Sequence, residues 1–198
     1  MPKKKPELFC IYGPENAEHE IRKAYLGAIE TCALLIHPSP TTPTVDPNEV
    51  IEIYERACQH YNTNHRLAAE RWARAAKHLA QALLHEAKIA YLEKHHQSLP
   101  YLEGAHDEEY GLYQRSDTTA DLVSSAASRI PPGFKQMPPQ MRNYLSRAHH
   151  HLEILEHSDE QHELLRAERI QATYEYCRAL ECMGLGYESE FKSKSKAA

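Results

Sequence analysis

The sequence predicts an all-α fold, a bundle of about four or five main helices with one long irregular connection. Three observations carry this. Long stretches of Ala, Leu, Glu, Arg and His dominate, while 198 residues contain only 7 Gly and 3 Phe, a composition that favours helix. Apolar residues recur every three or four positions over most of the chain. No strand-like alternation lasts more than a few residues. A hydrophobic content of 41% against 26% charged residues is that of an ordinary folded, water-soluble chain rather than a disordered one. At 22.7 kDa the expected organisation is a single helical domain over 1–187, followed by a flexible tail over 188–198.

The first helix is expected from Glu15 to about His37, with Ile21, Ala24, Tyr25, Ala28, Ile29 and Cys32 at helical spacing. His37-Pro38 stops it, and a proline-rich connection occupies about 38–46. Asp46-Pro47-Asn48-Glu49 then supplies an N-cap acceptor, a proline suited to the first helical position and a glutamate placed as in a capping box. This second helix runs to about Tyr61. Asn62-Thr63-Asn64 is either a break or a kink in a continuous helix.

The third helix, from about His65 to His96, carries the clearest pattern. Trp72, Ala76, Leu79, Ala80, Leu83, Ala87, Ala90 and Tyr91 form one apolar stripe, and its alanines permit close approach of a partner helix. Arg71, Arg74, His78, Gln81, His85 and Lys88 form a polar, basic stripe opposite, expected to face solvent. From about 98 to 140 prolines and glycines return, with one short helix expected from about Thr118 to Arg129. A final helical stretch runs from Met141 to about Gly184. The polar run Glu156 to Glu163 leaves one kinked helix and two separate helices both open, and Gly184 and Gly186 are expected to end it.

The chain carries a net charge of −5 with its fourteen histidines neutral, so its surface field is sensitive to pH near the histidine pKa. An acidic balance disfavours extended nucleic-acid binding. Five cysteines (Cys10, Cys32, Cys58, Cys177, Cys182) without a CxxC pair suggest reduced thiols in a cytoplasmic protein. No apolar run approaches membrane-spanning length.

No two histidines stand three or four residues apart, the spacing by which one helix offers two ligands to a metal. His149, His150 and His151 point about 100° apart from one to the next and do not close on one ion. Glu93-x-x-His96 and Glu103-x-x-His106 have the spacing found in di-iron carboxylate bundles, but at a helix end and in an expected loop. Any metal site would have to be assembled between helices. The best polar constellation is Arg142, Ser146, His149, Glu153, His157 and Glu160, all near one face of the last helix. It reads as a solvated face of His–Glu pairs or as one wall of a cleft. Gly-x-Ser-x-Gly, GxGxxG and Walker A patterns do not occur.

Within that face, Arg142-Asn143-Tyr144-Leu145-Ser146-Arg147-Ala148-His149 resembles the Arg-x(4–6)-His motif of HEPN domains, helical bundles that include metal-independent RNases and toxin–antitoxin components. The resemblance covers one octapeptide, and Arg71 to His78 repeats its spacing. It implies that Arg142 and His149 would flank a scissile phosphate, with Asn143 as the polar residue after the arginine.

The composition and the absent catalytic signatures together point to a non-enzymatic cytoplasmic module that works by protein–protein contact or self-association. A HEPN-like nuclease and an inter-helix metal-binding bundle are the alternatives. The expected partner is a protein or a second copy of the chain, nucleic acid being the weaker candidate through the Arg71–Lys88 stripe. No cofactor and no membrane are called for.

Overall fold

The computed structural model describes residues 14–36, 46–95, 116–157 and 163–197. Among the described residues the fold is an all-α bundle of six helices: α1 (Pro14–Ile36), α2 (Asn48–Asn62), α3 (Arg66–His95), α4 (Ser116–Ala127), α5 (Pro139–His157) and α6 (Glu163–Ala197). No β-strand occurs among them.

α3 is the central element. It packs against α1, α2 and most broadly α6, while α6 also carries α4 and α5 on its other sides. Side-chain pairs fix the directions. His78 meets Glu175 and His85 meets Glu168, so α3 and α6 are antiparallel. α5 is antiparallel to α6, as Arg147 meets Tyr176 and His151 meets Arg169. α1 runs parallel to α3: Glu20 reaches Arg74, and Gly27 lies over Ala80 one helical stretch further on. A Cβ added at Gly27 would stand 3.0 Å from the Ala80 methyl, so this crossing depends on two small residues.

The apolar stripe of α3 is buried as its spacing predicts, with Trp72, Ala76, Leu79, Ala80 and Leu83 fully enclosed. Tyr144, Tyr176, Met141, Leu180 and Met183 complete the core from α5 and α6. Burial of this kind contributes about 1.5–3 kcal/mol per large apolar side chain.

At the start of α2 the Asp46 carboxylate accepts the Asn48 amide at 2.9 Å, satisfying one of the orphan donors of the first turn. The expected capping box does not form: the Asp46 side chain takes the Asn48 amide rather than that of Glu49, and the Glu49 carboxylate reaches Arg147. The 62–64 segment is a true break: Asn64 has φ +62°, a left-handed conformation that asparagine tolerates. The Thr63 hydroxyl donates to the Gln59 carbonyl at 2.9 Å, closing the end of α2. The short helix expected near 118–129 is present as α4, so the segment expected to be irregular over 98–140 is partly helical; residues 96–115 lie outside the described residues.

Of the two arrangements left open for the last helical stretch, the structure has separate antiparallel helices, α5 and α6. One expectation is corrected. The helix expected to end at Gly184 and Gly186 continues to Ala197, so the flexible tail expected over 188–198 is helical through its described part. Both glycines sit close under a neighbour, Gly184 under the flexible Arg129 side chain and Gly186 under the buried Trp72 indole, which leaves no room for a methyl group. They are packing residues inside a helix, not its end.

Candidate functional site

The sequence-predicted polar face lies on the outside of α5. Arg142, Asn143, Ser146, His149, Glu153 and His157 are all exposed, and Glu160 lies outside the described residues. The His157 ring contacts its own helix at the Glu153 carbonyl, 2.9 Å away. α5 turns Met141, Tyr144, Ala148 and His151 inward, which necessarily turns Arg142 and His149 out. None of these exposed residues lines a cavity described below. Arg142 and His149, the pair singled out by the HEPN resemblance, thus both sit on the outer face of α5, away from these cavities.

Of the triplet, His149 and His150 are exposed and His151 is buried. Among the described residues no three His, Cys, Asp or Glu side chains converge as a ligand set. Glu93 binds Arg169; the His96 side chain, Glu103 and His106 fall outside the described residues. Inter-helix convergence does occur, but each histidine meets a glutamate rather than another ligand histidine.

Two such pairs tie α3 to α6: His78 Nδ1 stands 2.6 Å from Glu175 Oε2, and His85 Nδ1 stands 2.5 Å from Glu168 Oε2. Lys88 adds a contact to Glu168 at 3.3 Å. The basic stripe of α3 was expected to face solvent. It is instead largely half-buried against α6, with only Lys88 exposed, because α6 supplies a matching row of acceptors. Burial alone would raise the Glu168 carboxyl, but the His85 contact and the nearby Lys88 charge hold it below the usual carboxylate range.

A second network lies between α2, α3, α5 and α6. Arg147 donates to Glu49 at 2.8 Å and to the Tyr176 hydroxyl at 3.2 Å, and lies 3.7 Å from Glu86. His151 approaches Glu86 at 3.4 Å, and its ring stacks near Tyr176 with centroids 6.5 Å apart. Burial pushes the Glu86 carboxyl up, but His151 and Arg147 outweigh it and leave the group low. Burial also raises Glu49 despite its arginine, and raises the Tyr176 hydroxyl well above its ordinary value.

The most densely bonded carboxylate is Glu190, in the segment the sequence assigns to a tail. Its Oε1 accepts the Trp72 indole N–H and the Arg56 Nε–H, each at 2.8 Å, and faces His60 Nε2 at 2.8 Å. Its Oε2 accepts Arg56 Nη2 at 2.8 Å. The guanidinium lies 4.0 Å over the Trp72 ring and 4.6 Å over Tyr187. Burial acts to raise this carboxyl, and the bonds from Arg56 and His60 lower it overall. A carboxylate that takes four contacts from Arg56, His60 and Trp72 is a fastener between α2, α3 and α6. The groove beside it, about 580 Å³, is lined by Glu52, Glu55, Gln59, His65 and Ser193 together with the cluster.

Apolar surface is exposed on α1. Tyr25, Leu26 and Ile29 are 52%, 58% and 47% exposed, whereas Ala17, Ala24, Ala28 and Thr31 on the opposite face are buried. Arg22 and Glu30, one turn to either side of Leu26, are also exposed.

Comparison with protein-family models, curated proteins and solved structures yields no match. No helix among the described residues is long and apolar enough to cross a membrane.

Proposed function

We propose that this chain is a non-enzymatic helical-bundle module that acts by self-association through α1. The carrying observation is the exposed Tyr25–Leu26–Ile29 face on a helix whose other face is locked into the core.

The charge pattern selects a second copy as the occupant. Arg22, Leu26 and Glu30 stand at i, i+4 and i+8, along one stripe. Two α1 helices paired antiparallel about Leu26 place Arg22 of each opposite Glu30 of the other, and bury the apolar centre between them. That is the self-complementarity a two-fold interface requires. The Arg22–Glu18 pair, 2.6 Å on an exposed face, contributes little and yields readily to a new partner. One helix face is smaller than a standard interface of about 800 Å² per partner, so the dimer is weak and concentration-dependent. The engagement of Glu190 by Arg56, His60 and Trp72 and the outward position of Arg142 and His149 support a non-enzymatic reading. The four cysteines among the described residues are free, with Cys177 and Cys182 buried, which supports a reducing, cytoplasmic setting.

Sedimentation velocity over a concentration series tests the proposal. Leu26→Glu removes one half-exposed leucine per protomer from the seam, a loss of about 2 kcal/mol per dimer or roughly thirty-fold in affinity, before repulsion between the two new charges. The wild-type chain should show a rising sedimentation coefficient with concentration, and the variant should not. A wild-type chain that stays monomeric throughout overturns the proposal.

A further inference from the structure

Two cavities meet at Arg71. One, about 240 Å³, lies between α1, α3 and α6, and is lined by Arg71, Arg74, Lys77 and Arg178 with Glu20 and Glu181. The other, about 320 Å³, lies at the start of α3 and is lined by Arg66, Arg71 and Lys192 with the hydroxyls of Ser189 and Ser193. Setting histidines aside, six cationic side chains line this trough against two carboxylates, in a chain whose net charge is −5. Such segregation focuses a positive potential in a low-dielectric cleft.

Some of that charge is locally matched. Arg74 lies 3.0 Å from Glu70 and 3.8 Å from Glu20, Arg178 lies 2.5 Å from Glu181, and Lys192 pairs with Glu188. Three cations have no carboxylate in ion-pair contact among the described residues. Arg71 donates only to neutral oxygens, the Leu185 carbonyl at 2.9 Å and the Ser189 hydroxyl at 2.6 Å. Arg66 donates to the Asn64 side-chain oxygen at 3.2 Å and stacks over Tyr61 at 3.7 Å. Lys77 is half-buried in the cavity wall with no such partner.

We infer that this trough binds a compact anion bearing several phosphate groups. Guanidinium forks suit phosphate oxygens, and two serine hydroxyls add neutral donors. A single-stranded nucleic acid is the poorer fit, since such sites interleave their cations with aromatic platforms for the bases. Among the described residues no Phe, Tyr or Trp lines either cavity, the rings there being the imidazoles of His78 and His65, and the nearby Tyr61 face is taken by Arg66.

The test is isothermal titration of the full chain with inorganic tripolyphosphate, run in parallel with an unstructured eight-nucleotide RNA. Saturable tripolyphosphate binding that weakens with added salt, and falls at least ten-fold in Lys77→Glu and in Arg66→Glu, supports the inference. Lys77 has no ion-pair partner among the described residues, so its variant should keep the wild-type melting temperature even if Arg71→Gln unfolds. Absence of saturable binding, or equal affinity in Lys77→Glu, overturns the inference. Tighter binding of the RNA than of tripolyphosphate also overturns it and reassigns the trough to nucleic acid.

Discussion

Gly186→Ala should destabilise the protein sharply, although alanine is the better helix former by about 1 kcal/mol. The added methyl would stand 2.7 Å from Trp72 Cε2 and 2.8 Å from Nε1, against the roughly 3.5–4.0 Å of ordinary carbon contacts. Trp72 is fully buried, so the indole has nowhere to retreat without disturbing the core, at a cost of about 1–3 kcal/mol. A displaced indole also loses its 2.8 Å bond to the Glu190 carboxylate, worth about 1.5–3 kcal/mol for a bond to a charged group. With the propensity gain subtracted from the two costs, the expected loss is about 1.5–5 kcal/mol, or roughly 3–20 °C in melting temperature for a domain of this size. Gly184→Ala is the internal control. Its methyl meets Arg129 Cδ at 2.9 Å, but Arg129 is a flexible, half-buried side chain that yields cheaply, so stability should change by less than about 1 kcal/mol. Urea titrations followed by circular dichroism measure both. A Gly186→Ala protein as stable as wild type, or two variants that behave alike, would refute the docking of the last turns of α6 on Trp72.

The pH dependence has a definite sign. Glu86, Glu168 and Glu190 sit below the ordinary carboxylate value of 4.5. The unfolded chain therefore binds more protons than the folded one as pH falls through that value. Their stabilisation is complete above about pH 4.5 and is lost as pH drops through the lowered folded values. Glu49 and Glu70, raised by burial, act oppositely but are fewer. Urea midpoints between pH 3 and 6 should fall on acidification, and Glu168→Gln should flatten that slope; an unchanged slope would reject the His85–Glu168 pair. Thiol chemistry gives a separate check. Burial pushes Cys177 and Cys182 up to about 12, so iodoacetamide at pH 8 should leave both unmodified in the native protein and label them only after unfolding. Mass spectrometry of the labelled peptides decides it, and rapid native labelling of either cysteine contradicts its placement. Arg56→Ala removes one partner of Glu190 and its cover on Trp72, and should cost about 1–3 kcal/mol; a neutral result would show that the cluster is not a fastener.

The fold was legible because its strongest signals are local. The apolar stripe of α3, the Asp46-Pro47 start of α2 and the Asn62–Asn64 break all depend on neighbours within a turn or two, and each has its physical counterpart. What failed was whatever depended on a partner helix. Gly184 and Gly186 look like a stop until Arg129 is placed against the first and the Trp72 indole against the second. The Arg71–Lys88 stripe looks solvated until α6 brings Glu168 and Glu175 to it. One signal for that pairing was present: His78 and His85 are seven residues apart, as are Glu168 and Glu175, the repeat expected of two helices packed along a shared seam. Histidine spacing along one helix carries no trace of Glu190, Arg56 and Glu86, whose contacts with His60, Trp72, Arg147 and His151 form only between helices.

A charge-swap series at the ends of the proposed seam tests self-association most directly. Arg22→Glu sets like charges against Glu30 of the second copy, and Glu30→Arg does the same with Arg22. In sedimentation equilibrium each single variant should dimerise more weakly than wild type. The double variant Arg22→Glu/Glu30→Arg should recover the wild-type association, because antiparallel pairing about Leu26 restores both contacts with their signs exchanged. Three variants that associate like wild type, or a double variant no better than the singles, would contradict an α1–α1 interface.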